Sequence, residues 1–182
     1  TYSTSPHTTV TLTANTGTGS TFTGWSGGTC SGTSTTCSVF MDQARFVTAT
    51  FQKNYTITYA HGPDSTGTSL TQTYVDGTPL TLYGLTDVKD QFTRSGYSIS
   101  KFTSSSVSGA STPAYEFGAT YNTAADLTLY PVWAANTYTI TYKQGPDATS
   151  SAVDLTQTFV YGNSATIKTA VDASTFLRTG YY

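Results

Sequence analysis

The chain has 182 residues, of which 10% are charged, and a formal net charge of −2. Its five Lys and three Arg are scattered, which leaves no basic patch for nucleic acid, and no apolar run approaches the roughly 18 residues a membrane helix needs. Thr, Ser, Gly and Tyr dominate while Met occurs once. β-branched and aromatic residues fit a pleated, half-buried surface, so the composition predicts strands over helices.

Thr1 to His7 is polar, carries Pro6 and reads as a linker. Val10-Thr-Leu12-Thr-Ala14 alternates strictly, the pattern of a strand with one buried face. Asn15 to Gly19 supplies a turn, and Phe22-Thr-Gly24-Trp25 a second strand, broken by Gly27 and Gly28. Val39 and Met41 end a third strand, and Val47-Thr-Ala49-Thr-Phe51 makes a fourth. The four are expected to form a meander anchored by Trp25. Between them, Cys30 and Cys37 bracket a short polar loop with no further Cys or His ligand nearby to complete a metal site. The spacing favours a local disulfide over two free thiols. Such a staple would contribute about 2–3 kcal/mol in the chain-entropy model and implies an oxidising compartment.

After Gln52-Lys53-Asn54 the alternation resumes in Tyr55-Thr-Ile57-Thr-Tyr59, and Gly62-Pro63-Asp64 turns the chain. Leu70 to Val75 and Leu80 to Gly84 follow as strands, and Asp87 to Gln91 is the one passage suited to a helical turn. Gly96 to Phe102 and Leu127 to Trp133 are the later strands, separated by a Ser-rich loop and a Gly/aromatic connector. The pattern then restarts. Tyr138-Thr-Ile140-Thr-Tyr142 repeats Tyr55 to Tyr59, Leu155-Thr-Gln-Thr-Phe159 repeats Leu70 to Tyr74, and Phe176-Leu-Arg178-Thr-Gly180-Tyr181 repeats Phe92 to Tyr97. The spacing is about 84 residues, which marks an array of small modules. The second copy reaches Tyr182 before a match to Leu127–Trp133, so the chain is expected to be a window on a longer array. Trp25, Trp133, Tyr55, Ile57, Tyr59, Tyr138, Ile140 and Tyr142 are the expected core anchors.

Two resemblances sharpen this. Val10–Ala14, Gly19–Gly27, Cys30, Cys37, Met41-Asp42 and Val47–Phe51 make residues 8–52 similar to a bacterial cell-surface repeat. Members of that family carry an earlier Gly-rich strand pair, so this unit is expected to be truncated at its N-terminal side. Residues 54–134, and 137–182 as a partial second copy, resemble the internalin-type B repeat, also called the Listeria–Bacteroides repeat. Tyr55–Tyr59, Gly77, Arg94, Gly96-Tyr97, Tyr115-Glu116-Phe117 and Leu127–Trp133 carry that match. Lys101-Phe102 departs from it, standing where the family places Gly-Trp. The resemblance implies small β-grasp-like modules displayed in tandem on a bacterial surface. The expected fold is mainly β, with the modules as beads joined by Gln52-Lys53-Asn54 and Ala134-Ala135-Asn136.

Little in the sequence suggests catalysis. His61 and Asp64 share one turn, but the next copy keeps Gly145-Pro146-Asp147 and replaces the histidine with Gln144. A turn kept without its imidazole points to structure. Asp64 and Asp147 lack the dense acidic spacing of calcium loops. Glu116, the sole glutamate, could promote an amide cross-link between Lys101 and Asn122 were it buried. Asn54-Tyr-Thr56 is formally a glycosylation acceptor, a weak signal at the start of a strand. No cofactor and no metal are expected. The function predicted is a non-catalytic extracellular stalk or spacer of an adhesin-like surface or secreted protein. Its partners would be neighbouring repeats of the parent chain or copies of itself. One alternative is a module that binds a surface glycan or protein through exposed aromatics or sheet edges. Another is the subunit of an extracellular filament built by strand complementation.

Overall fold

A computed structural model of the chain describes residues 8–146 and 154–168. The expected linker Thr1–His7, Asp147, and the repeat at Phe176–Tyr181 fall outside the described residues. The chain opens with β1 (Thr8–Thr13), β2 (Ser20–Ser26), β3 (Thr36–Met41) and the long β4 (Thr48–Tyr59). Next come β5 (Thr66–Gly67), β6 (Leu70–Val75), β7 (Leu80–Thr81), the single-turn helix α1 (Leu85–Val88) and β8 (Phe92–Thr93). β9 (Tyr97–Thr103), β10 (Ala114–Tyr115), β11 (Thr120–Tyr121) and β12 (Leu127–Ala135) precede the last hairpin, β13 (Thr137–Tyr142) and β14 (Leu155–Val160). The helical turn thus starts two residues before the expected Asp87. Among the described residues no helix is long and apolar enough to cross a membrane.

Two compact units result. The first holds the described residues up to Ala60 with Ser69–Gly84 and Glu116–Leu129. The second holds His61–Thr68, Leu85–Tyr115 and the described residues from Tyr130 onward.

In the first unit the expected meander is not found. β1 pairs antiparallel with β3, and β2 with β4, so alternate strands make two ladders instead of consecutive strands making one. The reason is burial: a single four-stranded layer would leave its apolar face in water, whereas two ladders can cover each other. Leu12, Ala14, Phe22, Trp25, Cys30, Cys37, Val39, Val47 and Ala49 from both ladders form one core. Trp25 lies at its centre, its ring 5.2 Å from that of Phe22 and its indole N–H donated to the Ser34 carbonyl. Cys30 and Cys37 are joined, with Cα atoms 5.8 Å apart. The C-terminal half of β4 pairs antiparallel with β6, and Ile57–Tyr59 also pair in parallel with Leu127–Leu129. Tyr55, Ile57, Tyr59, Tyr74, Leu82, Tyr121 and Leu129 are buried there.

In the second unit β9 pairs antiparallel with Tyr130–Ala135 of β12 and, through its last two residues, with β10. Val88, Phe92, Ile99 and Phe102 are buried in this unit. β13 and β14 form an antiparallel hairpin. Four expected anchors fare differently here. Trp133 is only half-buried: the β12 register shifts between Val132 and Trp133, and the indole borders an open cavity of about 350 Å³. Tyr138 is 42% exposed, and Ile140 and Tyr142 are half-buried. Among the described residues β14 alone pairs with β13.

The linkers also need correcting. Gln52–Asn54 are internal residues of β4, and Ala134 and Ala135 end β12 one residue before β13 begins. Their polarity or small size reflects exposed or half-buried strand held mainly by main-chain hydrogen bonds.

Candidate functional site

The turn at His61–Asp64 lies in the second unit beside a cavity of about 60 Å³, lined also by Arg94, Ser108 and Tyr130. Asp64 accepts a hydrogen bond from the Ser108 hydroxyl and faces Arg94 at 3.8 Å. The Ser65 hydroxyl donates to the His61 carbonyl, and the His61 Nδ1 lies 2.6 Å from the Gly62 carbonyl. The serines are therefore bonded to a carboxylate and to the main chain, not to an imidazole that could take their protons. Asp64 ties two loops together. Among the described residues no group of three or more His, Cys, Asp or Glu side chains converges as a metal site would require. Glu116 and Asn122 are both exposed, so the buried acid needed to promote an amide cross-link is not there.

The arrangement that recurs lies where one strand pairing gives way to the next hairpin. In the first unit β4 pairs with β2 up to Lys53 and with β6 from Asn54 onward. Asn54 donates its main-chain N–H to the Gly19 carbonyl at 2.8 Å, and its Oδ1 accepts the Thr21 hydroxyl at 2.8 Å. In the second unit Asn136 donates its N–H to the Gly96 carbonyl at 2.9 Å, and its Oδ1 accepts the Ser98 hydroxyl at 2.6 Å. Gly19 and Gly96 both have φ near +75°, the left-handed region that favours glycine. The following hairpin is fastened in both cases by the N–H of its second strand's flanking residue: Asp76 to the Lys53 carbonyl, Tyr161 to that of Asn136. The asparagine stands one residue further into the hairpin at the first junction than at the second.

A second recurrent device fixes the hairpins. The Tyr59 hydroxyl donates to Gln72 and accepts the Tyr83 N–H, while the Gln72 amide donates to the Thr81 carbonyl. Tyr142, Gln157, Lys168 and Thr166 repeat it bond for bond. None of these asparagines and glutamines stood among the expected site residues. The signal was present: Asn precedes each hairpin, and both copies read Leu-Thr-Gln-Thr.

The aromatic rows do not present themselves as sugar platforms on β4, since Tyr55 and Tyr59 are consumed by the core. Exposed apolar residues instead cluster in the N-terminal part of the first unit. Phe40, Phe46 and Met41 are exposed, and a groove of about 220 Å³ runs between Val10, Leu12, Val39, Met41, Arg45 and Val47. Arg45 is paired with Asp42 at 2.5 Å.

Residues 1–55 match the family model described as a divergent InlB B-repeat domain. The B-repeat match falls on the N-terminal unit, which its own motifs had set apart as a bacterial surface repeat, and it spans both ladders of that unit. It points to a bacterial surface or extracellular repeat protein. Comparison with curated proteins and with solved structures gave no match.

Proposed function

We propose that this chain is a non-catalytic extracellular stalk or spacer segment of a bacterial surface or secreted adhesin-like protein. The observation that carries this reading is the junction: twice, a module's final strand passes into the next hairpin and is clipped by an asparagine to a left-handed glycine. A protein that positions something at a distance needs defined connections between modules, and main-chain ladders supply them without a large interface. A Thr/Ser surface with few lysines suits an environment rich in proteases. Modules at 8–52, 54–134 and 137–182 follow from this reading. Residues 54–134 form a β-grasp-like module in it, supported by an opening hairpin, a short helix and a return strand parallel to the first.

The test is the intact mass of the protein isolated from its native source, together with its accessibility to protease on whole cells. A mass far above 19.3 kDa, with surface cleavage releasing fragments, supports the spacer. A mass near 19.3 kDa overturns it, because a unit of so few modules spans too little distance to act as a stalk.

A further inference from the structure

Strands β9 and β12 bring two aromatic side chains to one cavity. Tyr97 and Ile99 stand two residues apart on β9 and so share a face, and Trp133 is the antiparallel partner of Ile99. The rest of the lining comes from the stretch between α1 and Arg94. The space is about 350 Å³, toward the lower end of small-ligand cavities, which run to roughly 300–1,000 Å³. All of it is built from residues 85–133, every one of which is described.

Two of the chain's eight cationic side chains, Lys89 and Arg94, line this cavity, and among the described residues no carboxylate does. Lys89 pairs with Asp90 at 2.5 Å, but both side chains are largely exposed, and such a pair is weak in water. Arg94 faces Asp64 only at 3.8 Å, beyond hydrogen-bonding distance, and its guanidinium lies over the Tyr97 ring at 4.1 Å. That stacking orients the guanidinium and leaves its N–H donors for a planar carboxylate, which it can hold through two parallel bonds. Thr93 and Ser98 border the same space. The Ser98 hydroxyl donates its proton to Asn136 and keeps lone pairs that can accept.

We propose that this cavity binds a hexuronate, the carboxylate-bearing sugar unit of an acidic polysaccharide. The carboxylate pairs with Arg94, and Lys89 supplies the second positive charge. The apolar C–H face of the ring packs on the half-buried Trp133 indole, and ring hydroxyls donate to Ser98 and Thr93. A fatty acid would leave those hydroxyls unmatched, and an acidic peptide would bring no flat ring to the indole. The site goes beyond the spacer reading and does not depend on it, since residues 85–133 alone supply it.

The probes are trisaccharides of galacturonate and of glucuronate, titrated into the isotope-labelled full chain. Saturable shifts are expected at the Trp133 indole N–H and at the amides of Arg94, Tyr97 and Ser98, with the Trp25 indole unmoved. Methyl esters of the same sugars keep the ring and lose the charge, and should bind about tenfold more weakly, the loss of a charge-assisted hydrogen bond. Arg94→Gln should match that loss. Lys89→Gln should weaken binding about threefold and reduce its salt dependence. Trp133→Leu keeps an apolar side chain on β12 and should abolish binding. If that variant fails to fold, the esters and the two charge variants decide alone. No shifts at these residues, shifts confined to the groove around Val10 and Met41, equal affinity of acid and ester, or indifference to Arg94→Gln would each overturn the proposal. Tighter binding at the same residues by laurate or by a hexaglutamate peptide would also overturn it, assigning the cavity to an apolar acid or to an acidic protein segment.

Discussion

Replacing Asn136 with Ala removes an acceptor from the Ser98 hydroxyl and leaves the main-chain bonds of that junction in place. The same change at Asn54 strips the acceptor of Thr21 in a less exposed setting. An intramolecular hydrogen bond contributes about 0.5–1.5 kcal/mol net, and more where its loss leaves a shielded group unpaired. Urea titration should therefore place Asn54→Ala near 1 kcal/mol and Asn136→Ala at about half that. Asn122→Ala, at an exposed residue, should stay within about 0.5 kcal/mol of the parent. Equal losses at all three would remove any special role from the junction asparagines. Gly96 permits a sharper comparison. Its φ is +76°, and a Cβ there would sit 2.4 Å from the Tyr161 ring. Gly109 has the same φ with open space around it. Both Gly→Ala changes carry the left-handed cost of about 1–2 kcal/mol. Only Gly96→Ala should also displace Tyr161 from its edge contact with Tyr97, seen as altered ring-current shifts.

At the scale of the strand pair, a hydroxyl does what packing alone would not. The Tyr59 ring is fully buried and its oxygen bridges Gln72 to the Tyr83 main chain. Tyr59→Phe keeps the ring and orphans an amide oxygen and a main-chain N–H, so a loss of about 1–3 kcal/mol is expected by urea titration. Tyr142→Phe breaks the same bonds in a half-buried hairpin, where water can replace them, and should cost less than about 1 kcal/mol. If the two losses were equal, burial would not be what separates the hairpins. Strand positions in both copies were legible because apolar and Thr residues alternate at period two. The disulfide was legible because two cysteines in a short polar loop have few other fates. Pairing partners in the N-terminal unit were not: alternation gives each strand a face but no address, and β1 with β3 satisfies it as well as β1 with β2 would. The Tyr–Gln bridge escaped notice for a related reason: Gln72 sits between two Thr residues in a polar run, and only the fold shows that it is half-buried where Thr71 and Thr73 are exposed.

Across the whole molecule, what the sequence hid was continuity. Gln-Lys-Asn reads as a linker because polar residues without turn-formers carry no packing signal, yet β4 runs through them without a break. The ladder from Ser20–Ser26 and the hairpin from Leu70–Val75 thus share one strand within the first unit. Opening one ladder frees the main chain that templates the other, so the shared strand is expected to couple the two. Reducing Cys30–Cys37 removes about 2–3 kcal/mol from the N-terminal core. If the shared strand couples the ladders, hydrogen exchange at Ile57 and Tyr59 should quicken on reduction although neither residue belongs to the disulfide's core. Inserting Gly-Ser between Lys53 and Asn54 preserves the inward and outward alternation, because the side-chain period is two, but separates Asn54 from Gly19 and Thr21. In that variant reduction should speed exchange in β1, β2, β3 and the first residues of β4, which share the disulfide's core, and no longer at Ile57 and Tyr59. Were Ile57 and Tyr59 indifferent to reduction even in the parent chain, the junction would be a point of contact without coupling. The module boundary would then lie in energy where the residues Gln-Lys-Asn first placed it.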